Sequence, residues 1–117
     1  MATTNNANNM NYVFFGSPEF AKIILEKLIA AGMPPALVVC NPDKPVGRKK
    51  IVTPPPTKIV AIKNNIQVWQ PENLAIRVWP IANSNFDFFI VAAYSKIIPK
   101  TILDLPKLGT IGIHPSL

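Results

Sequence analysis

Short, nearly continuous apolar runs recur along the chain and are separated by polar segments or by segments with helical spacing. The runs are rich in β-branched and aromatic residues, which predicts strands. The strand candidates are YVFF (12–15), PALVVC (35–40), IQVWQ (66–70), DFFIVAA (87–93) and GTIGIHP (109–115).

The segments between these runs predict helices. After the first run, apolar residues recur with the spacing of one helix face, Ser17 and Pro18 are suited to the N-cap and first helical position, and Gly32 is suited to the end. That apolar stripe consists of Phe20, Ile23, Ile24 and Leu28. Further helices are expected at 57–65, at 72–84 (shortened or bent by Pro80) and at 99–105. A long loop is expected from Asn41 to about Pro56.

The alternation of strand and helix defines the expected fold class. Apolar rather than alternating strands are typical of a parallel sheet that is covered on both faces. We therefore expect an α/β fold with a mostly parallel, open sheet and helices on both faces. The carboxyl ends of all its strands then meet at one edge, where such sheets bind ligands.

Composition narrows the class of protein. The 117 residues make one domain at most, with residues 1–10 expected to be a disordered tail because ATTNNANN contains nothing to bury. No apolar run approaches the ~20 residues that a membrane span needs. A single cysteine, Cys40, favours a reducing, cytoplasmic setting.

Three segments follow strands at the expected functional edge: GSPEF, AYSKIIP and HPSL. The last contains His114, the only histidine of the chain. A lone histidine in an apolar strand is more often structural, but its position where a strand ends makes a functional role equally plausible. Helix amides after Gly16 could bind a carbonyl or a phosphate, or could form a plain capped turn.

Several kinds of site are disfavoured by the motifs. The dinucleotide fingerprint needs three glycines, and the GSPEF turn has only Gly16. The phosphate-binding loop that ends in Gly-Lys-Ser/Thr does not occur either. One cysteine and one histidine are too few for a structural zinc site, so no metal is expected.

The segment PDKPVGRKKIVTPPPTK concentrates positive charge in a chain whose net charge is +6. Prolines stiffen it, and Gly47 permits a turn at its tip. Its cations could contact phosphates, or they could be a solvated basic loop. They are Lys44, Arg48, Lys49 and Lys50.

Taken together, these segments resemble the methionyl-tRNA formyltransferases. That family carries, in order, a strand with G-[TS]-P-E-F, then PDKP-x-GR with a trailing PPP, an A-Y-G-x-I-L-P-like stretch and H-x-SLLP. The counterparts here are GSPEF (16–20), PDKPVGR (42–48), PPP (54–56), AYSKIIP (93–99) and HPSL (114–117). The resemblance extends from Asn11 to Leu117 and implies a Rossmann-like formyltransferase fold, incomplete at the C-terminus.

The resemblance also implies roles for individual residues. His114 corresponds to the catalytic histidine, and the cations at 44, 48, 49 and 50 to a segment that meets the tRNA acceptor end. The aminoacyl end would be bordered by Phe14, Gly16, Ser17 and Pro18. The folate co-substrate would be contacted by Tyr94, Ser95, Lys96, Ile97, Ile98, Ser116 and Leu117.

The implied reaction moves a formyl group from 10-formyltetrahydrofolate to the amino group of methionine on initiator tRNA. The amine attacks as the free base, a tetrahedral oxyanion forms on the formyl carbon, and the folate nitrogen leaves with a proton. A histidine suits these proton transfers, and its charged form stabilises the oxyanion. We expect the enzyme to act as a monomer.

Two departures from the family pattern bear on activity. The family has Asn-x-His, and a strand points both side chains into the same site, whereas this chain has Gly112. Glycine has no amide to donate to the oxyanion, and one such donor is worth ~10²–10³ in rate. The family's aspartate that orients the histidine lies beyond Leu117, so we expect 11–117 to be the N-terminal part of the catalytic domain, without the C-terminal domain and inactive alone.

Other functions remain open. A formyltetrahydrofolate hydrolase or a sugar-amine formyltransferase has a similar histidine segment, although neither needs a cationic loop. A degenerate, non-catalytic module that binds folate or tRNA is also compatible with Gly112. A steep loss of tRNA affinity with salt would favour the tRNA enzyme.

Overall fold

A computed structural model describes residues 10–75 and 85–114 of the chain. The elements within those residues are β1 (Tyr12–Phe15), α1 (Glu19–Ala30), β2 (Leu37–Val39), β3 (Lys44–Val46), β4 (Ile51–Thr53), α2 (Pro56–Lys63), β5 (Gln67–Trp69), β6 (Phe88–Ala92), α3 (Lys100–Leu103) and β7 (Thr110–Ile113). All five predicted strands are present, with helices between β1 and β2, before β5 and before β7, and two further strands follow β2 directly.

Five strands form one parallel sheet in the order β5-β2-β1-β6-β7. Every neighbouring pair within it is parallel. The chain builds outward from β1 to β2 and β5, then crosses to β6 and β7 on the other side. Strand order therefore reverses between β1 and β6, and the carboxyl ends of these two strands flank the crevice where open α/β sheets bind ligands.

The strands bury both faces because successive side chains point to opposite sides of the sheet. In β1, Tyr12 and Phe14 face a core shared with Leu25 of α1 and Val60 of α2. Val13 and Phe15 face the opposite core, with Ile102 of α3. The expectation of helices on both faces is confirmed, and the continuous apolar runs follow from this two-sided burial.

Helix α1 begins one residue later than predicted, at Glu19. Its N-cap is Pro18, and no side chain caps it, because the Ser17 hydroxyl accepts the Asn41 N–H instead at 2.8 Å. The helix buries Ala21 and Leu25, whereas Ile23 of the predicted stripe is 44% exposed. The predicted end is confirmed, since Gly32 follows the helix in the left-handed conformation with φ +80°.

The predicted long loop at 41–56 contains a two-stranded antiparallel sheet, so that prediction was wrong in part. β3 and β4 pair Lys44 with Thr53 and Val46 with Ile51 around a turn at 47–50. The β-branched residues on either side of the turn favour extended backbone. Gly47 occupies the turn with φ +75°, as its position predicted.

Two further predictions, the helix at 72–84 and the N-terminal tail, lie wholly or partly outside the described residues. The predicted helix at 72–84 is not helical over its described residues 72–75, where Leu74 packs into the core instead, and 76–84 lie outside the described residues. The proposed tail lies outside them apart from Met10. Among the described residues, no helix is long and apolar enough to cross a membrane.

Candidate active site

The carboxyl edge of the sheet brings four loops together through short hydrogen bonds. Asn41, which follows β2, donates its backbone N–H to the Ser17 hydroxyl after β1 at 2.8 Å. Its side-chain amide donates to the Ser95 hydroxyl after β6 at 3.0 Å. Its carbonyl accepts from Nε2 of Gln70, after β5, at 3.1 Å. Asn41 thus connects the loops that follow four strands.

A cavity of about 680 Å³ opens beside this junction, at the crevice between β1 and β6. The loops after β1, β2 and β6 supply part of its wall, and the β3–β4 strands with the prolines before α2 supply the rest. The size and the largely apolar lining are typical of a small-molecule site. Its lining comprises Ser17, Pro18, Glu19, Asn41, Pro42, Lys44, Val46, Thr53, Pro54, Pro55, Pro56, Ala93, Tyr94 and Ser95.

Two of the four residues predicted to border the aminoacyl end line this cavity, namely Ser17 and Pro18. The Phe14 side chain does not, because its position in β1 points it into the core beneath α1, where it is fully buried. Gly16 contributes by close packing: a Cβ there would lie 2.4 Å from the Ala92 carbonyl oxygen. No side chain fits at that position.

A second cavity of about 430 Å³ lies beside His114 at the end of β7. Its lining comprises Val91, Ala93, Tyr94, Lys96, Ile98, Leu103, Gly112 and His114. His114 is exposed, as its predicted place at the strand exit requires. A Cβ at Gly112 would lie 3.5 Å from His114 Nε2, so a side chain at 112 would contact the imidazole.

Ala93 and Tyr94 line both cavities and form their common wall. Ala93 has φ +59°, a conformation that non-glycine residues adopt rarely and mostly at functional sites. The Tyr94 ring packs edge-on against Phe15, 5.7 Å between centroids. Burial raises the pKa of Tyr94 to about 12. Its hydroxyl is buried and has no hydrogen-bond partner among the described residues.

The predicted folate residues divide between the two cavities. Lys96 and Ile98 line the smaller one, and Ser95 lines the larger one. Ile97 is 87% exposed and lines neither. Ser116 and Leu117 lie outside the described residues.

The four predicted tRNA-binding cations occupy two positions. Lys44 lies in β3 and lines the larger cavity. Arg48, Lys49 and Lys50 form the exposed turn between β3 and β4. We call β3, this turn and β4 together (residues 44–53) the basic hairpin.

Asp43, just before the basic hairpin, is a residue that sequence reasoning missed. Gln70 Nε2 donates to one of its carboxylate oxygens at 2.6 Å, and Lys58 Nζ lies 3.1 Å from both. These two contacts hold the pKa of Asp43 below its usual range. Asn41 and Gln70 were missed too, although Asn41 directly follows one predicted strand and Gln70 is the last residue of another. A polar residue at the carboxyl end of a strand is a signal that could have found them.

The described residues contain no cluster of three or more histidine, cysteine or acidic side chains that could hold a metal ion. Nor does a carboxylate belong to the described lining of the cavity beside His114. The two cavities can offer hydrogen bonds, positive charge, the Glu19 carboxylate and one imidazole to a bound substrate.

The sequence that forms this fold belongs to a known class. The sequence pattern described as formyl transferase matches residues 10–117, nearly the whole chain, and the chain belongs to that family.

Its similar relatives are curated methionyl-tRNA formyltransferases. The protein of Staphylococcus epidermidis is 45% identical over 107 residues, which cover 90% of this chain and 34% of the relative. The protein of Caldicellulosiruptor saccharolyticus is 47% identical over 112 residues, 92% of this chain and 36% of the relative. The chain thus spans about a third of the length of the relatives it matches.

Proposed function

We propose that this chain supplies the two substrate sites of a methionyl-tRNA formyltransferase. The reaction would move a formyl group from 10-formyltetrahydrofolate to the amino group of methionine on initiator tRNA. The names of the relatives support this reaction. The observation that carries it is the pair of cavities that share Ala93 and Tyr94, with His114 in one and the basic hairpin over the other.

The larger cavity suits the aminoacyl end of the tRNA. Its apolar prolines and Val46 could hold a methionine side chain, and Lys44 offers a cation at the wall. Arg48, Lys49 and Lys50 extend from the same hairpin into solvent, where they could contact phosphates of the acceptor strand. Such a complex would form in the cytoplasm, where tRNA is charged.

The smaller cavity suits the folate co-substrate. When bound, 10-formyltetrahydrofolate supplies the formyl group. Val91, Ile98 and Leu103 provide apolar walls for a flat ring, and Lys96 provides a cation for an anionic tail. The buried Tyr94 hydroxyl behind this wall has no hydrogen-bond partner among the described residues, and it could donate to a substrate if the wall adjusts on binding. These residues fit a molecule that is both aromatic and anionic.

His114 carries the proton chemistry of the proposal. Its Nε2 would take the proton that the attacking amine releases. The resulting imidazolium would stabilise the oxyanion and then give a proton to the folate nitrogen as its bond to the formyl carbon breaks. The family's asparagine would stand at Gly112, on the same side of β7 and in contact with that nitrogen. With glycine there, this donor is missing and the reaction should be slow.

The proposal is tested with a hybrid in which residues 11–117 replace the matched third of the S. epidermidis relative. Transfer of labelled formyl from 10-formyltetrahydrofolate to methionyl-tRNA is expected, with a rate that falls steeply as salt is added. Release of formate at the same rate without tRNA would instead identify a hydrolase. Transfer to a sugar amine, insensitive to salt, would identify a sugar-amine formyltransferase.

Gly112 favours a second candidate, a non-catalytic module that binds folate or tRNA. A hybrid that binds both substrates but transfers no formyl, even over long incubations, would identify that module. The same assay therefore separates the two candidates.

A further inference from the structure

The basic hairpin makes few stabilising interactions within itself. Its two strands have three residues each and pair only with each other among the described residues. Ile51 and Val52 are largely exposed, so the hairpin buries little apolar surface. An isolated two-stranded hairpin is marginally stable in water. Its position over the larger cavity must therefore be fixed where it joins the rest of the fold.

Both ends of the hairpin are attached to α2. After β4, the chain runs through Pro54 and Pro55 directly into the helix at Pro56. Before β3, both oxygens of the Asp43 carboxylate lie 3.1 Å from Nζ of Lys58, in the first turn of the same helix. One attachment is covalent and stiffened by prolines, and the other is an ion pair.

Gln70 ties the Asp43 attachment to the sheet. Its Nε2 donates to the Asp43 carboxylate at 2.6 Å and to the Asn41 carbonyl at 3.1 Å. The ion pair is partly shielded from solvent, with side-chain exposures of 31% for Asp43 and 23% for Lys58. Partial burial and the added amide hydrogen bond make such a pair worth more than an exposed one.

The first turn of α2 also holds the site itself. Thr57, adjacent to Lys58, is fully buried, and its hydroxyl donates to the Gly16 carbonyl at 2.7 Å. Gly16 begins the turn whose next residues, Ser17 and Pro18, line the larger cavity. Neighbouring residues of one helical turn therefore contact the base of the hairpin and the floor of the cavity.

We propose that Asp43, through Lys58 and Gln70, is a positioning residue that fixes the basic hairpin over the larger cavity. In this role Asp43 does not touch a substrate. It sets where Lys44 and the cationic turn stand relative to the Gly16 turn, by joining the hairpin to the helix that holds that turn. Only the identity of the hairpin's ligand rests on the proposed function.

The test compares trypsin cleavage of the full chain with its global stability. Trypsin can cut after Arg48, Lys49 and Lys50 when the turn opens, and Lys44 is protected by the proline that follows it. In Asp43→Asn, cleavage at the turn is expected to be about tenfold faster, because loss of one charge-assisted contact raises the open population by that factor. The rate of this cut should not depend on low concentrations of urea, because local opening exposes far less surface than global unfolding does.

Matched variants show whether the effect is specific. Asp104→Asn removes the same charge from an exposed pair with Lys100 on α3 and should leave cleavage unchanged. Lys58→Met should match Asp43→Asn, and the double variant should be no faster than either single one, since both remove the same contact. Unchanged cleavage in Asp43→Asn would overturn the proposal. So would faster cleavage whose rate rises with urea as steeply as global unfolding does, because the cut would then pass through the unfolded chain.

A tRNA titration measures an effect that a purely structural role of Asp43 would not produce, namely a loss of tRNA affinity. Asp43→Asn should weaken tRNA binding several-fold at every salt concentration, with the slope against log salt unchanged because every cation remains. Lys49→Ala should lower that slope by about one, whereas Lys27→Ala, at the far end of α1, should leave the slope unchanged.

If the unaltered chain fails to bind tRNA, the proposed function fails, while the cleavage result still decides the positioning role. Binding by Asp43→Asn equal to that of the unaltered chain would overturn the positioning role.

Discussion

The two cavities differ in how completely this chain builds them. The larger one is enclosed by loops that hydrogen bonds hold together, from Ser17 to Asn41 and from Asn41 to Ser95, and by a run of prolines. The smaller one lies beside the outermost strand β7, with an exposed His114 and with Gly112 where a side chain would contact the imidazole. The larger cavity therefore has an extensive surface for binding, whereas the described lining of the smaller cavity has few polar groups that could take part in a reaction.

The contrast shows that a parallel sheet provides a binding crevice through its strand order, but does not by itself provide the catalytic groups. The crevice between β1 and β6 arises from strand order alone, so the larger cavity follows from the topology. Charge stabilisation needs particular donors aimed at one point, and under the proposed function Gly112 leaves out one of them. If that function is correct, the chain should bind its acceptor better than it performs chemistry.

The largest expected effect is loss of the imidazole. His114→Ala in the hybrid should lower the rate of formyl transfer by about 10²–10⁴, the usual contribution of general acid–base catalysis. The affinity for tRNA should not change, since the histidine lies in the other cavity. Labelled formyl transfer and a tRNA titration measure the two quantities. A rate equal to the parent's would mean that His114 is not the catalytic group.

The second effect goes in the opposite direction. Gly112→Asn restores the amide that the family carries and should raise the transfer rate by about 10²–10³. Among the described residues, a Cβ at this position meets only His114 Nε2, at 3.5 Å, which is ordinary contact, so the fold should accept the change. Gly112→Ala is the control, because it adds the Cβ without the donor and should leave the rate unchanged.

A hybrid that stays inactive with asparagine at 112 would contradict the catalytic reading of the smaller cavity. It would leave the non-catalytic binding module as the better account of the chain.

On the larger-cavity side, the expected effect is on stability. Gly16→Ala would place a methyl group 2.4 Å from the Ala92 carbonyl oxygen and 2.7 Å from the Ala21 Cβ. To relieve these clashes, the β6 backbone and the buried face of α1 would both have to move. The free energy of unfolding should therefore fall by about 1–3 kcal/mol. Urea unfolding measures it, with Gly112→Ala as the control that should change it by less than about 0.5 kcal/mol. Equal stability of Gly16→Ala and the parent would mean that the turn can relax.

How far the sequence could predict these features depends on the range of the interactions. The strands and the functional edge followed from continuous apolar runs, because burial on two faces leaves a local pattern. Ser17 is a good N-cap residue by type, yet its hydroxyl is used by Asn41, 24 residues away. Asp43 is linked to Lys58 and Gln70, 15 and 27 residues away, and no local pattern indicates that contact.

The basic hairpin was missed for a different reason. Its prolines and charges indicate a loop, and the turn at Gly47 was correctly expected. The strands on either side are only three residues long, too short for an alternating pattern to stand out. The positions of the cations relative to one another could not be predicted until the pairing of Lys44 with Thr53 was known.

The smallest expected effect concerns the wall that the two cavities share. The buried Tyr94 hydroxyl has no partner among the described residues, and an unsatisfied buried hydroxyl costs stability. Tyr94→Phe should therefore raise the free energy of unfolding by about 1 kcal/mol. Tyr12→Phe is the matched control with the opposite sign, since the Tyr12 hydroxyl donates to the Met33 carbonyl and its loss should destabilise the fold.

Formyl transfer by the same Tyr94→Phe hybrid then shows why the hydroxyl is kept. With its pKa raised to about 12, the group stays protonated and able to donate at every pH up to about 9. If it donates to a substrate, the rate should fall several-fold and equally across pH 6 to 9, while stability rises. An unchanged transfer rate would mean that the hydroxyl does not contact a substrate and that the shared wall acts only as apolar surface. A lower free energy of unfolding would mean that the hydroxyl has a partner within the fold.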